Sequence, residues 1–355
     1  MRAKLGLLVC LFLLPATLVA EDAFELVRVA DGVYAAIGRR AAPMLIGSNA
    51  AVIVNADDVL VVDTHLTPSA AQALLGEIKK LTDKPVRTVV NTHWHNDHVQ
   101  GNQAYFNVFP GEVEFISHQV TREDILKKAI PSVQRQLKSL PEQIAQAEER
   151  LAAGLDAAGR PLTEEQKAAQ GAALDRRKRY LEELRQIQIT LPTLTFKRHL
   201  VLHKEGRTIH MLFFRKGHTR GDVVLWLPQE RVLVAGDLLT SGLPFPRDSY
   251  PSEWVATLRA MAKLEFDQII PGHGPVQQGK EHLKLVTEVF ASVVAQVRAA
   301  VSRGLSLEET KKAVNVGEFR ARVTGGQAQA NAAFDRRIAV IIERTYWELT
   351  GKLTE

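Results

Sequence analysis

The run Asn91-Thr92-His93-Trp94-His95-Asn96-Asp97-His98 constrains this chain more than any other segment. It places four potential metal ligands within six residues, directly after the apolar stretch 86–90. Imidazole and carboxylate suit zinc, iron or manganese, and loop composition alone does not supply such a cluster. His93 and His95 flank Trp94, so in extended or turn geometry both rings can face one ion. Asp97 and His98 lie beyond them and can face a second. The spacing therefore predicts two ions.

The later histidines show that the cluster is not isolated. His218 stands in Gly217-His218-Thr219-Arg220-Gly221-Asp222, Asp237 in Ala235-Gly236-Asp237, and His273 in Pro271-Gly272-His273-Gly274, each at or just past the end of a predicted strand. Glycines beside a ligand let the backbone turn sharply and let a side chain approach an ion with no neighbouring Cβ in the way. The seven ligands divide between two sites: His93, His95 and His218 for one ion, Asp97, His98 and His273 for the other, and Asp237 as the bridge.

With these residues in place, the sequence resembles the metallo-β-lactamase superfamily, whose HxHxDH motif matches His93, His95, Asp97 and His98 letter for letter. The downstream His, Asp and His arrive in the family's order, and the resemblance runs over about residues 33–275. It includes Asp63 of Val61-Val62-Asp63-Thr64, which in the family supports the site without ligating metal. A strand-end Asp is equally well a turn cap, so both readings of Asp63 stay open. The resemblance implies a four-layer αββα sandwich. From pattern alone, only a layered mixed α/β fold follows.

Short β-branched runs at 33–37, 51–54, 59–62 and 86–90 read as strands, and 67–81 as a helix opened by a Thr-Pro cap. A second block, 208–214, 223–227, 232–235 and 268–270, supplies the later ligands, with a helix over 252–264. Between the halves an insertion, 121–193, reads as helical throughout. Val133, Leu137, Leu140, Ile144, Ala147 and Leu151 recur at helical spacing, and so do Tyr180, Leu184, Ile187 and Leu191 after a turn near 154–161. This predicts an antiparallel helical hairpin, acting as a strut, a lid over the metal cleft or a dimer contact. Beyond residue 280, two apolar stripes, Leu283 to Val297 and Phe334 to Leu349, predict helices that cover the core; His282 reads as structural.

Residues 1–20 read as an export signal: Arg2 and Lys4, an apolar run at 5–14, then a stretch ending in Ala20. The run is shorter than the roughly 20 residues a spanning helix needs. The expected organisation is a signal at 1–20, a metallo-β-lactamase-like domain at 21–275 carrying the insertion, and a helical extension at 276–355, in a periplasmic or secreted protein without stable membrane association after cleavage. Cys10 is the only cysteine, so no internal disulfide forms and the site is built from nitrogen and oxygen. The net charge of +5 comes from Lys and Arg interleaved with Glu and Asp, which argues against nucleic acid as a partner and leaves a small molecule. A homodimer is compatible with the hairpin.

Two cations about 3.5–4 Å apart hold a water, lower its pKa and stabilise charge on an attacked carbonyl oxygen. Asp97 can ligate and also orient the nucleophile, which makes it the candidate catalytic residue; no dedicated acid for the leaving group stands out. In the family, dedicated β-lactamases generally carry cysteine or a nonligating residue where this chain has Asp237, whereas hydrolases of thioesters, lactones and phosphodiesters carry the bridging aspartate. With the export signal, the resemblance thus leads to the expectation of an exported enzyme with two Zn(2+) per chain, hydrolysing a small ester, lactone or thioester, with β-lactams less favoured. The alternatives are a mononuclear iron, persulfide-dioxygenase-like oxidoreductase using His93, His218 and Asp237, and a noncatalytic metal-binding protein.

Overall fold

The computed structural model describes residues 23–39 and 42–353; the expected signal at 1–20 lies outside them. Two sheets face each other. The first contains β1 (Phe24–Ala30), β2 (Val33–Gly38), β3 (Ala50–Val54), β4 (Val59–Val62), β5 (Val86–Asn91), β6 (Glu114–His118) and β7 (Leu194–Phe196), in that spatial order. Its pairings are antiparallel as far as β4 and parallel from β4 onward. The second contains β8 (His199–Lys204), β9 (Arg207–Leu212), β10 (Val224–Leu227), β11 (Val232–Thr240), β12 (Gln268–His273) and β13 (Gln277–Gln278). In this sheet β11 and β12 run parallel and the other neighbours antiparallel.

Alternation along the strands builds three apolar layers. Ala51, Ile53, Leu60 and Val62 face the second sheet and meet Met211, Leu225, Val232 and Val234. Ala50, Val52, Val59 and Val61 face outward onto α1 (Pro68–Leu81), through Ala70, Ala71, Leu74 and Ile78. Thr67 caps α1 by accepting from the Ala70 amide, as the Thr-Pro opening predicts. The second sheet's outer face carries α7 (Pro251–Met261), α8 (Glu281–Ser302), α10 (Gly317–Thr324) and α11 (Ala328–Leu349), with Trp254, Phe290, Phe319 and Ile341 in one core. The short α9 (Leu307–Ala313) connects α8 to α10. This is the expected αββα sandwich, and the covering helices share its core. α8 is long and apolar enough to cross a membrane by length and composition, yet its stripe from Leu283 to Val297 is buried against the second sheet.

The remaining helices lie around the first sheet's strand ends: α2 (Asn96–Val99), α3 (Asn102–Val108), α4 (Gln119–Asp124), and the hairpin formed by α5 (Ile130–Ala152) and α6 (Glu164–Leu184). A π-helical turn at Ile125–Ala129 joins α4 to α5. The insertion is not helical throughout: α6 ends at Leu184, and Ile187 and Leu191 lie in the extended connection to β7. Their apolar spacing nonetheless has a packing cause, because Ile187 joins Val133, Tyr180 and Leu184, and Leu191 packs against Trp94 and Ile125. The hairpin's base rests on Leu45 and Leu66 and is tied by Ser69, whose amide and hydroxyl donate to Glu183 at 2.9 and 2.7 Å.

Candidate metal centre

All seven expected ligands converge where the parallel strands of both sheets end. β5 delivers the chain at Asn91; His93 and His95 occupy the turn, and Asp97 and His98 open α2. His218 comes from the loop between β9 and β10, and His273 is the last residue of β12. Asp237 sits inside β11 just past Gly236, where φ is +51° and the register with β12 shifts. A Cβ on Gly236 would lie 2.7 Å from Thr92 Oγ1, so only glycine lets β11 press against the motif turn.

The side chains fall into two clusters, His93, His95, His218 and Asp237 in one and Asp97, His98 and His273 in the other, with ligand atoms within 4.8 Å of one another in each. Asp237 joins them. Its Oδ2 lies 3.5 Å from His218 Nε2, while its Oδ1 lies 3.4 Å from His98 Nε2 and 3.3 Å from His273 Nε2. His218 Nε2 is 3.0 Å from His95 Nδ1, and Asp97 Oδ2 is 3.4 Å from His273 Nε2. Donors bound at 2.0–2.1 Å around a tetrahedral ion stand about 3.3 Å apart, so these are the spacings such an ion requires.

The outer ring nitrogens carry the same message. His98 Nδ1 donates to Asp63 Oδ2 at 2.7 Å, His93 Nδ1 lies 3.0 Å from Thr92 Oγ1, and His95 Nε2 lies 3.0 Å from Asp248 Oδ2. Each contact leaves the opposite nitrogen facing the cluster, the arrangement by which an outer partner fixes a metal-ligating imidazole. Among the described residues, His93 Nε2, His98 Nε2 and Asp237 Oδ1 are buried and no hydrogen-bond partner meets them. A buried polar atom left so is costly, and a cation would satisfy all three.

Electrostatics agrees. Burial drives His93 well below the usual histidine range, helped by the neighbouring rings of His98, His95 and His218, and drives His218 down to about 3. Burial would push Asp237 up, but His273 and His98 outweigh it and hold the carboxyl well below the carboxylate range. Burial opposes a charge on His98 as well, yet Asp63, Asp237 and Asp97 together raise its pKa well above normal. The pocket has a surplus of negative charge that a proton partly offsets and a divalent cation would offset better.

Asp63 takes the supporting role. Its carboxylate also accepts from the Thr92 amide and hydroxyl, both at 2.8 Å, so one acid orients a ligand in each cluster. Two further supports carry no motif of their own. Asp248 lies in an irregular loop, and only the structure brings it to His95. Asp222 holds the His218 loop by accepting from the Thr219 amide and hydroxyl at 2.8 Å, and burial raises its pKa to about 6. Arg220 in the same loop forms a two-pronged pair with buried Asp124, at 2.9 Å on both prongs. His282 is structural, with Nε2 2.8 Å from the Thr240 carbonyl oxygen. In the segment after β11, Pro246, Tyr250 and Trp254 are buried in loop and core packing, and Phe245 is exposed.

Comparison with known proteins follows the same line. The sequence profile of the metallo-beta-lactamase superfamily matches residues 44–114 and 149–273, more than half of the chain. A linear primary-alkylsulfatase from Pseudomonas sp. (strain ATCC 19151) is 24% identical over 277 residues, covering 73% of this chain and 48% of that protein. A type 2 metallo-beta-lactamase from Bacillus sp. (strain 170) is 35% identical over 80 residues, covering 21% of this chain and 31% of that protein. Among solved structures, the stereoselective inverting sec-alkylsulfatase Pisa1 from Pseudomonas sp. superposes with a TM-score of 0.64 at 17% identity, over 93% of this chain and 51% of that one. A metallo-beta-lactamase from Pontibacter korlensis superposes with a TM-score of 0.53 at 16% identity, over 76% of this chain and 99% of that one. The chain thus spans about half the length of the alkylsulfatases it matches. With its profile match, its sandwich and its convergent histidines and aspartates, this chain belongs to the metallo-β-lactamase superfamily.

Proposed function

We propose that this protein is an exported two-metal hydrolase of small esters, lactones or thioesters, with zinc as the metal. One observation carries the reading: the two oxygens of Asp237 face different ligand clusters. A mononuclear iron centre built on His93, His218 and Asp237 gives no use to Asp97, His98 and His273, which form a second complete cluster. Bound here, two cations would acidify a water and polarise the bond under attack. The chain's own part is positional. Asp97, with its side chain 27% exposed beside His273, reaches the open side of the centre and can orient the nucleophile. Gly47 fixes that aspartate: a Cβ on Gly47 would fall 2.5 Å from Asp97 Cβ, and Ser48 Oγ donates to the Asp97 carbonyl oxygen. The likeness to alkylsulfatases, over most of this chain, adds sulfate esters to the substrates to be tried.

Element-by-element metal analysis of protein purified without chelator is the test. About two zinc ions per chain, with turnover of an ester, lactone or thioester abolished by chelation and restored by zinc, supports the reading. About one iron and no zinc rejects it in favour of oxygen-dependent sulfur chemistry.

A further inference from the structure

α11 carries, beside the segment that follows β11, a positive charge that none of the described residues pairs. Residues 337, 344 and 348 share one edge of this helix, because steps of seven and four return to the same side. Two of them fasten the helix to the segment that follows β11. Arg344 Nε donates to the Ser249 carbonyl oxygen at 2.9 Å, and the Ser252 amide donates to a Glu348 carboxylate oxygen at 2.9 Å. Arg337, two turns earlier, has no such task. Its Nη1 lies 3.7 Å from the point a Cβ would occupy on Gly242. Gly242 follows Ser241, whose amide donates to the carbonyl oxygen of the metal-centre residue His273 at 3.0 Å. Among the described residues, no hydrogen bond or ion pair reaches the Arg337 guanidinium.

That guanidinium is half-buried. Burial lowers its pKa, the charge of Arg336 adds to the effect, and the Asp237 carboxylate opposes it. A half-exposed guanidinium keeps part of its water, and its N–H groups remain available to pair with an anion brought against it. His93, His98 and His218 are buried, whereas the side chains of His273 and Asp97 are 36% and 27% exposed. The more open ligands are thus His273 and Asp97, and Arg337 lies beside the 241–242 segment that is hydrogen-bonded to the His273 backbone, near enough for the Asp237 carboxylate to act on its charge.

We propose that Arg337 binds an oxyanion of the substrate, so that this centre selects esters carrying a negative charge close to the bond that is cut. The inference rests on the ester-hydrolase reading above and names its substrate class. A planar guanidinium pairs through two N–H groups with a carboxylate or a sulfate alike, so the charge sits either on a neighbouring carboxylate or on the ester sulfate itself.

The test uses the metal-loaded full-length protein, Arg337→Gln and Arg337→Lys, first matched in metal content and thermal midpoint. Arg337→Met, which keeps the aliphatic stem, replaces the Gln variant should that one unfold. Three substrates separate the cases: p-nitrophenyl acetate, the mono-p-nitrophenyl ester of glutaric acid, and p-nitrophenyl sulfate. Loss of the charge-assisted contact is expected to raise KM for a charged ester roughly tenfold to a hundredfold, with kcat and the acetate reaction little changed and partial recovery in the Lys variant. An effect on the glutarate ester alone assigns a neighbouring carboxylate; an effect on the sulfate ester assigns the reacting group. An equal fall on acetate and the charged esters, or no fall on either, overturns the proposal. If the wild type turns over none of the three, the ester-hydrolase reading fails, and calorimetric titration with sodium sulfate decides the Arg337 site by itself. Binding about tenfold weaker in the Gln variant sustains it, and equal binding overturns it.

Discussion

Asp63 Oδ2 accepts a hydrogen bond from His98 Nδ1 at 2.7 Å, deep beneath the metal centre. The same carboxylate holds Thr92, whose hydroxyl lies against His93, so it governs the orientation of a ring in each cluster. Asp63→Asn keeps the shape but removes the charge. Metal affinity is expected to fall roughly tenfold to a hundredfold, measured by competition with a chelator of known affinity. Unchanged affinity would return Asp63 to the role of a turn cap, for which its left-handed φ of +62° already qualifies it.

Among the described residues, Asp237 is the one carboxylate paired with histidines of both clusters. Asp237→Asn should reduce stoichiometry from about two ions per chain towards one, with activity lower by on the order of 100-fold or more. Metal analysis of the purified variant is the check. Retention of two tightly held ions would show that the clusters do not depend on a shared carboxylate.

Gly272 leaves room for Asp237. A Cβ there would fall 1.9 Å from Asp237 Oδ1 and 2.8 Å from the Gly236 carbonyl carbon. Gly272→Ala must therefore displace the carboxylate or the β11 backbone, at a cost of about 1–3 kcal/mol. The expected outcome is a folded protein with a lowered thermal midpoint and impaired metal binding. Wild-type metal content in this variant would contradict it.

His65 lies under the cleft with its Nδ1 2.9 Å from the Ser48 carbonyl oxygen, and burial lowers its pKa to about 4. The folded state thus holds the ring neutral, while the unfolded chain protonates it near 6.5. Its contribution is complete above the unfolded value, is lost as pH falls towards 4, and changes no further below that. The total is about 3 kcal/mol. His65→Asn suits the left-handed φ of +69° and removes the titration. Metal-free wild type should lose more stability than this variant between pH 7 and pH 4.5, as read by denaturant titration. Parallel profiles would exclude His65 as the cause.

The seven candidate ligands that the structure brings together stood out in the sequence because their chemistry is local: four sit in one turn, and the other three adjoin glycines at strand ends. The continuous apolar strand Val59–Val62 was legible for the same reason, since burial on both faces leaves little else for the pattern to mean. β1 was not, because this edge strand interrupts its apolar residues with Glu25 and Arg28. β8 begins and ends in exposed or half-exposed polar residues, and β7 has only three residues to show. Asp248 escaped notice because its partner His95 is 153 positions away and nothing in its loop marks it. The continuation of helical spacing through Ile187 and Leu191 misled because apolar residues in an extended connector pack on the same core as those of the helix before it.

Each ligand cluster takes members from both sheets: His93 and His95 with His218 and Asp237, Asp97 and His98 with His273. Neither half of the chain carries a finished coordination set, so high-affinity capture must wait until the sheets have docked. Ion uptake would then time the last event of maturation, and a chain halted with only its first sheet assembled would pass through a metal-containing compartment without retaining its cargo.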